Sequence, residues 1–388
     1  MVIDVIAGLT FGIWAYLMMA RGGFWLGAVR DDVAVAAPAS WPAVAVAIPA
    51  RNEAEGIGAC VGSLLKQDYP GPLSVTVVDD DSDDGTGEIA KNAGKAVAVP
   101  GGPALTVMRG QPLPAGWTGK LWAVKQGVAA ALAQDPKPEF LLLTDADIAH
   151  SADNVRALVA RALAGGYGLT SLMAKLRCTS LAERVHVPAF IYFFQMLYPF
   201  SWVAKSKAAT AAAAGGCMLV RADALEQAGG IDAIRHALID DCALAAKMKG
   251  VGPIWLGLTD RAVSLRRYDD FAEVKHMITR SAYAQLRYSP LLLIGTFAAM
   301  TLVFVAPPLL AILAVGWARW LGLAAWALMA VSFQPTLRFY RVSPLWGVAL
   351  PIIALLYTYY TLDSAYQHAR RRGGQWKGRA QANMASLQ

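Results

Sequence analysis

Two apolar segments of this chain end in clusters of carboxylates, and this pattern constrains the fold more than any other feature. The segment LSVTVV is followed by DDDSDDGT, in which five of the six residues from 79 to 84 are aspartates. The segment FLLL at 140–143 is followed by TDAD. Short apolar runs between turn residues are typical of buried strands, and segments suited to helices lie between them. This alternation from about residue 45 predicts an α/β domain whose functional groups lie at the carboxyl ends of parallel strands.

The two ends of the chain have the composition of membrane segments. The whole chain is 56% hydrophobic with a mean hydropathy of +0.40, which is high for a soluble domain. The stretches long enough to cross a bilayer are about 2–20, 290–315, 318–334 and 345–363. Pro307 and Pro308 are expected to kink or split the second stretch. The number of C-terminal spans stays open. With the α/β domain in the cytoplasm, three spans place the C-terminus outside, whereas the basic tail favours a C-terminus inside.

The charge pattern favours a membrane protein over a nucleic-acid-binding protein. The net charge is +7, but the basic residues do not form one continuous patch. They flank apolar segments, as in HARRRGGQWKGR at 368–379, which is typical of cytoplasmic membrane flanks. Arg21 and Arg30 follow the first apolar stretch, which favours a cytoplasmic domain after it.

The predicted organisation has four parts. They are an N-terminal transmembrane anchor at 1–22, the α/β domain at 43–289 with an apolar segment at 185–203 inside it, a transmembrane region at 290–365 and a basic tail at 366–388. The segment 185–203 contains two prolines and is interpreted as an interfacial helix, with a buried core helix as the alternative. The four scattered cysteines form no CxxC pair, so we expect them to be small apolar side chains rather than metal ligands or disulfides.

The first acidic cluster predicts a nucleotide site. An EF-hand loop starting at Asp80 has a glycine at its sixth position, Gly85, but Lys91 stands where a bidentate glutamate is required. A calcium loop is therefore excluded, and a solvated acidic turn is the remaining alternative. The carboxylates of Asp79 and Asp80 can accept hydrogen bonds from a uracil N–H or a ribose hydroxyl.

The second acidic cluster predicts a metal site. Asp145 and Asp147 follow a strand at positions i and i+2, so both project from one face if the extended conformation continues. Their hard oxygens suit Mg²⁺ or Mn²⁺, which then bridge to phosphate oxygens. His150 lies nearby and is expected at the surface or outside the direct ligands.

Two further segments carry charged residues at the starts of predicted helices. Lys120 in GWTGK lies at a predicted helix N-terminus, where it would contact the diphosphate or the nucleobase of a nucleotide. An ordinary exposed lysine is the alternative. Asp240 and Asp241 in LIDDCALAAKMKG are either a helix N-cap or a source of the general base for an acceptor hydroxyl.

Taken together, six motifs resemble those of the family 2 glycosyltransferases, which have the GT-A fold. They are IPARNE (48–53), VVDDDSDDGT (77–86), GWTGKLWAVKQG (116–127), TDAD (144–147), GGCMLVRADALEQAGGID (215–232) and IDDCALAAKMKG (239–250). The details PARNE, WTGK and QLRYSP, together with the membrane ends, are most similar to bacterial hopene-associated glycosyltransferases. The resemblance implies a Rossmann-like GT-A domain between N-terminal and C-terminal transmembrane helices.

The resemblance also implies donor-binding roles. Asp79 and Asp80 match the pair that contacts the nucleoside, and Arg51 and Glu53 lie in the loop that frames it. Lys120 matches a family lysine near the nucleotide.

The remaining implied roles concern the metal and the reaction. Asp145 and Asp147 match the metal-binding DxD motif, with Asp147 as the more direct ligand and Asp145 also near the substrate. Asp241 matches the catalytic base, and Asp240 precedes it where the family has Glu.

A later segment departs from the family pattern. Processive members carry QxxRW, whereas in HMITRSAYAQLRY (276–288) Met277 and Ser281 stand at the Gln and Trp positions around Arg280. The alternative register, QLRY (285–288), is one residue too short, so a single transfer is favoured. Arg280, Gln285 and Arg287 in this segment are expected to neutralise the diphosphate.

The implied function is an inverting transfer that requires Mg²⁺ or Mn²⁺. A hexose or N-acetylhexosamine moves from a nucleotide-sugar, expected to be a UDP-sugar, to a membrane lipid, with a hopanoid as the specific acceptor. The implied location is the bacterial inner membrane with a cytoplasmic catalytic domain, and no nucleic-acid partner is expected. A polyprenyl-phosphate sugar synthase and a catalytically silent membrane scaffold are the two alternatives.

Overall fold

The structure is a computed structural model that describes residues 1–97, 100–370, 375–376 and 379–380. Most of the basic tail predicted at 366–388 lies outside the described residues. The chain forms two compact units. The α/β unit contains Val29–Arg177, Trp202–Arg266 and the described residues of 375–388, and the helical unit contains Met1–Ala28, Cys178–Ser201 and the described residues of 267–374.

The α/β unit is built on an eight-stranded sheet. Its strands are β1 (Val44–Ala50), β2 (Leu73–Asp79), β3 (Ala104–Arg109), β4 (Phe140–Leu143), β5 (Ile148–His150), β6 (Leu169–Lys175), β7 (Met218–Arg221) and β8 (Ile254–Ser264). Their order in the sheet is β3-β2-β1-β4-β7-β6-β8-β5. The four strands from β1 to β4 are parallel, whereas β7 runs antiparallel to β4 and β6, and β5 runs antiparallel to β8. Because β7 is antiparallel to both β4 and β6, and β6 is parallel to β8, the strands β1, β2, β3, β4, β6 and β8 all run in one direction. The sheet is therefore mixed, and the prediction of a parallel sheet is correct for these strands but wrong for β5 and β7.

The helices are numbered along the chain. They are α1 (Val2–Met19), α2 (Ile57–Leu65), α3 (Thr86–Val97), α4 (Gly119–Leu132), α5 (Asn154–Gly165), α6 (Leu181–Leu197), α7 (Phe200–Val203), α8 (Ala222–Gln227), α9 (Asp240–Val251), α10 (Phe271–Thr279), α11 (Ala282–Gln285), α12 (Pro290–Met300), α13 (Ala306–Leu313), α14 (Gly316–Phe339) and α15 (Trp346–Ala369). Short 3₁₀ turns lie at Phe24–Leu26 and Ile231–Ile234. Two short strands, β9 (Gln375–Trp376) and β10 (Arg379–Ala380), pair with each other.

The core of the α/β unit follows from its apolar strands. All seven residues of β1 are buried, because this strand lies between β2 and β4 and has side chains covered on both faces. Helix α2 buries Ile57, Val61 and Leu64 in the same core as the β1 side chains. The parallel register aligns Ala50 at the end of β1 with Asp79 at the end of β2. This alignment brings the loops that follow the two strands to one edge of the sheet.

The helical unit contains four helical segments that are long and apolar enough to cross a membrane. By length and composition, these are Val2–Met19, Pro290–Leu313, Gly316–Phe339 and Trp346–Ala369. They match the four predicted stretches to within a few residues. The second is interrupted as predicted, because a π-helical turn at Thr301–Val305 separates α12 from α13 just before Pro307 and Pro308. Proline cannot donate a helical hydrogen bond and its ring crowds the preceding turn, which accounts for the interruption.

The segment 185–203 differs from its prediction. Helix α6 begins at Ser180 with a capping box that includes Glu183, and most of its side chains are buried. Tyr192 and Phe193 pack edge-on against Phe333 and Tyr357 of the helical unit. This burial agrees with the alternative of a buried core helix rather than with a helix that exposes an apolar face at an interface.

The same packing corrects the predicted domain boundary. The range 43–289 was expected to be one continuous domain, but Cys178–Ser201 and residues 267–289 belong to the helical unit. Several of their apolar side chains, among them Tyr192, Phe193 and Val274, lie in the core of that unit, so the α/β unit is discontinuous in sequence.

Candidate active site

The ends of β1, β2 and β4 and the loops that follow them carry six of the predicted site residues: Arg51, Glu53, Asp79, Asp80, Asp145 and Asp147. These three strands are parallel neighbours in the order β2-β1-β4, so their carboxyl ends lie at the same edge of the sheet. Polar groups that follow them are therefore close to one another, as is usual for ligand sites in α/β folds.

The loop after β1 is hydrogen-bonded along the acidic run after β2. The Arg51 guanidinium donates to the carbonyl oxygen of Asp80 and, at 3.1 Å, to that of Asp81. The backbone N–H of Asn52 donates to Ser82 Oγ at 3.1 Å. Asn52 has a φ of 51°, a left-handed conformation that asparagine tolerates better than most residues. Arg51 is thus placed at the nucleoside end of the predicted site, but its contact with a nucleoside stays a prediction.

The acidic run is stabilised by several separate contacts within the protein. Asp81 forms an ion pair with Arg109 at 2.8 Å. Asp84 accepts hydrogen bonds from the Thr86 backbone and hydroxyl, where α3 begins. Burial alone would raise the pKa of Asp84, but these hydrogen bonds and one from a backbone amide hold it below its usual value. Part of the run is therefore structural, and only part of it is left for a ligand.

Asp79 and Asp80 are the two members of the run most closely packed into the edge of the sheet. Asp80 is 1% exposed, and its Oδ2 lies 3.9 Å from an Arg51 nitrogen. Asp79 Oδ1 accepts a hydrogen bond from the Ser82 N–H at 3.1 Å. A Cβ at Gly87 would lie 2.5 Å from Asp79 Oδ2, so only glycine leaves room for this carboxylate.

Lys120 connects two carboxylates from different elements. Thr118 caps the N-terminus of α4 by accepting the Leu121 N–H, which places Lys120 in the first turn. The Lys120 Nζ lies 2.9 Å from Asp145 Oδ1 and 3.1 Å from Asp240 Oδ2. Burial favours a lower pKa for Lys120, but the carboxylates of Asp145 and Asp240 outweigh it and raise the pKa well above its usual range. This ammonium is a fixed positive charge, and the alternative of an ordinary exposed lysine is wrong.

Asp241 lies in the first turn of α9, beside this ion pair. Its Oδ2 accepts the Gly215 N–H at 3.0 Å, and its Oδ1 accepts the Cys242 N–H at 2.7 Å. Burial and the negative charge of Asp240 raise its pKa to about 6, although Lys120 and the two N–H donors act in the opposite direction. A carboxylate with such a pKa is ionised at neutral pH and remains basic enough to accept a proton.

The DAD turn is formed by Asp145, Ala146 and Asp147, and its two aspartates contact different basic side chains. The Ile148 N–H donates to the Asp145 carbonyl at 3.3 Å, so the chain turns after β4 instead of continuing as a strand. The expectation that extended conformation places both carboxylates on one face therefore does not hold. Asp145 contacts Lys120, whereas Asp147 Oδ2 lies 2.7 Å from Arg266 Nε.

Arg266 is a site residue that the sequence analysis missed. It follows β8, and its Nη2 also lies 2.8 Å and 3.1 Å from the two oxygens of Glu53. Arg266 therefore joins the loop after β1 to the DAD turn. Its position in the unremarkable sequence SLRRYDD gave no signal, because the pairing depends on the folded sheet.

His150 is a core residue and not a surface residue. It is 6% exposed, and its two ring nitrogens lie 3.0 Å from Thr144 Oγ1 and 2.8 Å from Asn154 Nδ2. Burial lowers its pKa to about 4, so the ring is neutral at physiological pH. Thr144 in turn donates to the Gly216 carbonyl at 2.7 Å, so this network supports the residues next to Asp145 and Gly215.

The donor set of the DAD turn fits a divalent cation bound together with a substrate. No group of three or more His, Cys, Asp or Glu side chains converges on a metal position among the described residues. Mg²⁺ is commonly held by one or two carboxylates, with water and substrate phosphates as its other ligands. Asp145 and Asp147 supply two such carboxylates, and their assignment as metal ligands stays a prediction.

Three predicted substrate-binding residues belong to the helical unit. Arg280 and Arg287 have exposed side chains, and Gln285 donates a hydrogen bond to the Tyr198 hydroxyl. The carboxylate cluster of the α/β unit is formed without them. Their contact with a diphosphate stays a prediction.

Comparison with known proteins supports the interpretation of this cluster. Residues 45–229 match the family described as Glycosyl transferase family 2. This match supports a glycosyl transferase family 2 domain at residues 45–229. The predicted enzyme class, a family 2 glycosyltransferase, is confirmed by this domain. No curated protein matches the chain.

The solved structures that match the chain include two glycosyltransferases. The mannosyltransferase PcManGT from Pyrobaculum calidifontis, in complex with GDP-Man and Mn²⁺, has a TM-score of 0.54 at 20% sequence identity, and the match covers 95% of this chain and 99% of that chain. Glucosyl-3-phosphoglycerate synthase from Mycobacterium tuberculosis, in complex with Mg²⁺ and UDP, has a TM-score of 0.41 at 19% identity, and the match covers 63% of this chain and 79% of that chain. The first similarity and the family match confirm the predicted GT-A-like α/β fold.

Proposed function

We propose that this protein is an inverting, metal-dependent glycosyltransferase that moves a sugar from a nucleotide-sugar to a membrane lipid. The proposal is carried by Asp241, whose pKa is raised to about 6 while two backbone N–H groups hold its carboxylate in place. A rigid carboxylate with a pKa near neutrality is suited to removing a proton from an attacking hydroxyl.

The donor would bind along the edge formed by β1, β2 and β4. Asp79, Asp80 and Arg51 are proposed to contact the nucleoside, and the fixed charge of Lys120 would stabilise the diphosphate. Asp145 and Asp147 would hold Mg²⁺ or Mn²⁺, which supplies positive charge at the leaving diphosphate. We propose UDP as the nucleotide, with GDP as the comparison because the similar P. calidifontis structure contains GDP-Man and Mn²⁺.

In the proposed reaction, Asp241 takes the proton of an acceptor hydroxyl. The oxygen attacks the anomeric carbon from the face opposite the diphosphate, and the bond between the sugar and the phosphate oxygen breaks with both electrons going to the diphosphate. An α-linked donor therefore gives a β-linked product. Asp240 and Lys120 form an ion pair beside the base, so the charge around Asp241 stays constant as the proton moves.

The acceptor is proposed to be a lipid because the described residues include four helical segments long and apolar enough to cross a membrane. A hopanoid is the specific proposal, and it is supported by the similarity of PARNE, WTGK and QLRYSP to hopene-associated glycosyltransferases. The proposed location is the bacterial inner membrane with the catalytic domain in the cytoplasm.

The test uses the full-length protein in lipid nanodiscs with radiolabelled UDP-sugars and GDP-sugars and a hopanoid acceptor. Asp241→Asn is expected to reduce label transfer to lipid by about 10²- to 10⁴-fold, the usual contribution of a general base, without changing the Kd of the donor nucleotide. Asp232→Asn is the matched control, because Asp232 is an exposed carboxylate on the segment that leads to α9.

Two outcomes would overturn the assignment. Full transfer to a hydroxyl acceptor by the Asp241→Asn variant would remove Asp241 as the base. Transfer to a polyprenyl phosphate that is unaffected by Asp241→Asn, with none to a hydroxyl lipid, would identify a polyprenyl-phosphate sugar synthase, because a phosphate acceptor needs no base.

A further inference from the structure

Each carboxylate of the DAD turn is matched by a cation that also binds a second carboxylate. Lys120 lies between Asp145 and Asp240, at 2.9 Å and 3.1 Å. Arg266 lies between Asp147 and Glu53, at 2.7 Å and 2.8 Å. The two proposed metal ligands therefore have internal counter-cations.

The Arg266 contacts are well defined. Its side chain is 33% exposed, while those of Glu53 and Asp147 are 13% and 16% exposed. Nε points to Asp147, and Nη2 contacts both oxygens of Glu53, so one planar guanidinium joins the two carboxylates. An arginine remains charged at every accessible pH, so this positive charge is permanent.

We infer that Arg266 is a positioning residue that makes tight binding of the divalent ion depend on the nucleotide diphosphate. The inference rests on the proposed function, because it concerns the same site. A divalent ion that approaches Asp147 alone meets the guanidinium charge, and partial burial reduces the screening of that repulsion by water. A diphosphate adds negative charge next to the ion and offsets the repulsion.

This arrangement couples the two ligands in both directions. If the nucleotide increases the affinity for the metal, the metal increases the affinity for the nucleotide by the same factor. The coupling keeps the ion from being held tightly at the DAD turn when no donor is bound. A purely structural role of Arg266 would behave differently, because its removal would then weaken metal binding in every state.

The test is a binding experiment on the full-length protein in detergent. Binding of Mn²⁺ is followed by electron paramagnetic resonance and titration calorimetry, alone and with saturating UDP or GDP. The variants are Arg266→Met, which removes the charge, and Arg266→Lys, which retains it. Arg261→Met is the matched control, because Arg261 lies in β8, is similarly exposed and also joins two carboxylates, those of Asp31 and Asp153.

The wild type is expected to bind Mn²⁺ far more tightly with the nucleotide than without it. The Arg266→Met variant should bind Mn²⁺ without nucleotide about tenfold more tightly than the wild type does. The factor by which the nucleotide tightens Mn²⁺ binding should fall about tenfold, which is within the usual range of coupling between sites. Arg266→Lys and Arg261→Met should retain the wild-type coupling. These results would support Arg266 as the internal counter-cation.

Two results would overturn the inference, and they differ from a failure of the proposed function. The counter-cation role would be excluded if the Arg266→Met variant binds Mn²⁺ without nucleotide no more tightly than the wild type does. It would also be excluded if the nucleotide still tightens Mn²⁺ binding to this variant by the wild-type factor. If the wild type binds Mn²⁺ with neither UDP nor GDP, the proposed function itself fails, and the inference fails with it.

Discussion

Asp240→Asn is expected to lower the pKa of Asp241 and to extend catalysis to lower pH. After burial, the negative charge of Asp240 is the next cause that raises the pKa of Asp241 from 3.8 to about 6. The substitution removes this charge and also removes one partner of the Lys120 ammonium, which lies 3.1 Å from Asp240 Oδ2. Both changes favour the ionised form of Asp241.

The size of the effect follows from the pKa itself. A rise from 3.8 to about 6 corresponds to about 3 kcal/mol at 1.36 kcal/mol per pKa unit. Burial is the larger of the two causes that raise the pKa, while Lys120 and the two N–H donors lower it, and we take the charge of Asp240 to contribute about one unit, or about 1.4 kcal/mol. The acid limb of kcat/KM should then move from about pH 6 in the wild type to about pH 5 in Asp240→Asn.

The assay measures sugar transfer to lipid between pH 4.5 and 8 in nanodiscs. Asp232→Asn is again the control and should retain the acid limb near pH 6. An unchanged acid limb in an active Asp240→Asn variant would refute the electrostatic argument. A limb that moves to higher pH would refute it as well, because the loss of the Asp240 charge and the release of Lys120 from Asp240 both favour ionised Asp241.

The raised pKa of Asp241 also affects stability. Because the folded pKa lies above the unfolded value, ionised Asp241 destabilises the folded protein above about pH 6, and this cost disappears as the pH falls toward 3.8. Asp241→Asn removes the cost, but one of the two N–H donors held by the carboxylate loses its acceptor. The melting temperature of Asp241→Asn minus that of the wild type should therefore increase as the pH is raised from 4 to 7. A difference that does not change with pH would contradict the raised pKa.

Two substitutions test contacts outside the base. Gly87→Ala should weaken nucleotide binding at least tenfold in calorimetry, because the new Cβ would lie 2.5 Å from Asp79 Oδ2 and displace it. Gly62→Ala in α2 is the control and should leave binding unchanged, because no atom lies within 4 Å of its Cβ. Lys249→Met should lower the free energy of unfolding by about 1–3 kcal/mol, because the Lys249 ammonium donates to three backbone carbonyls of the segment 202–210. An unchanged melting temperature would contradict that estimate.

The parts of the site that the sequence predicted well are those that follow strands directly. Asp79 and Asp145 come after continuous apolar runs, and a parallel sheet brings the ends of such runs together whatever the rest of the chain does. The four membrane-type stretches were equally clear, because length and hydropathy are local properties. Local patterns therefore predicted the edge of the sheet and the helices correctly.

The parts that were missed depend on contacts between distant segments. Arg266 is 119 positions from Asp147, and nothing in its neighbourhood distinguishes it from Arg267. The apolar run of α6 has no local feature that separates a buried helix from an interfacial one. Its assignment required the packing of Tyr192 and Phe193 within the helical unit.

The charges around the base and the DAD turn give a physical reason for a divalent cation. The acidic side chains joined by the described contacts are Glu53, Asp145, Asp147, Asp240 and Asp241, and the basic ones are Lys120 and Arg266. Negative charge is in excess, and, after burial, the charge of Asp240 is the next cause that raises the pKa of Asp241. A diphosphate that entered this cluster alone would add further negative charge in a partly buried site, where screening by water is reduced. A divalent ion that enters with the diphosphate would offset this charge, so we expect donor binding to this cluster to depend on the metal.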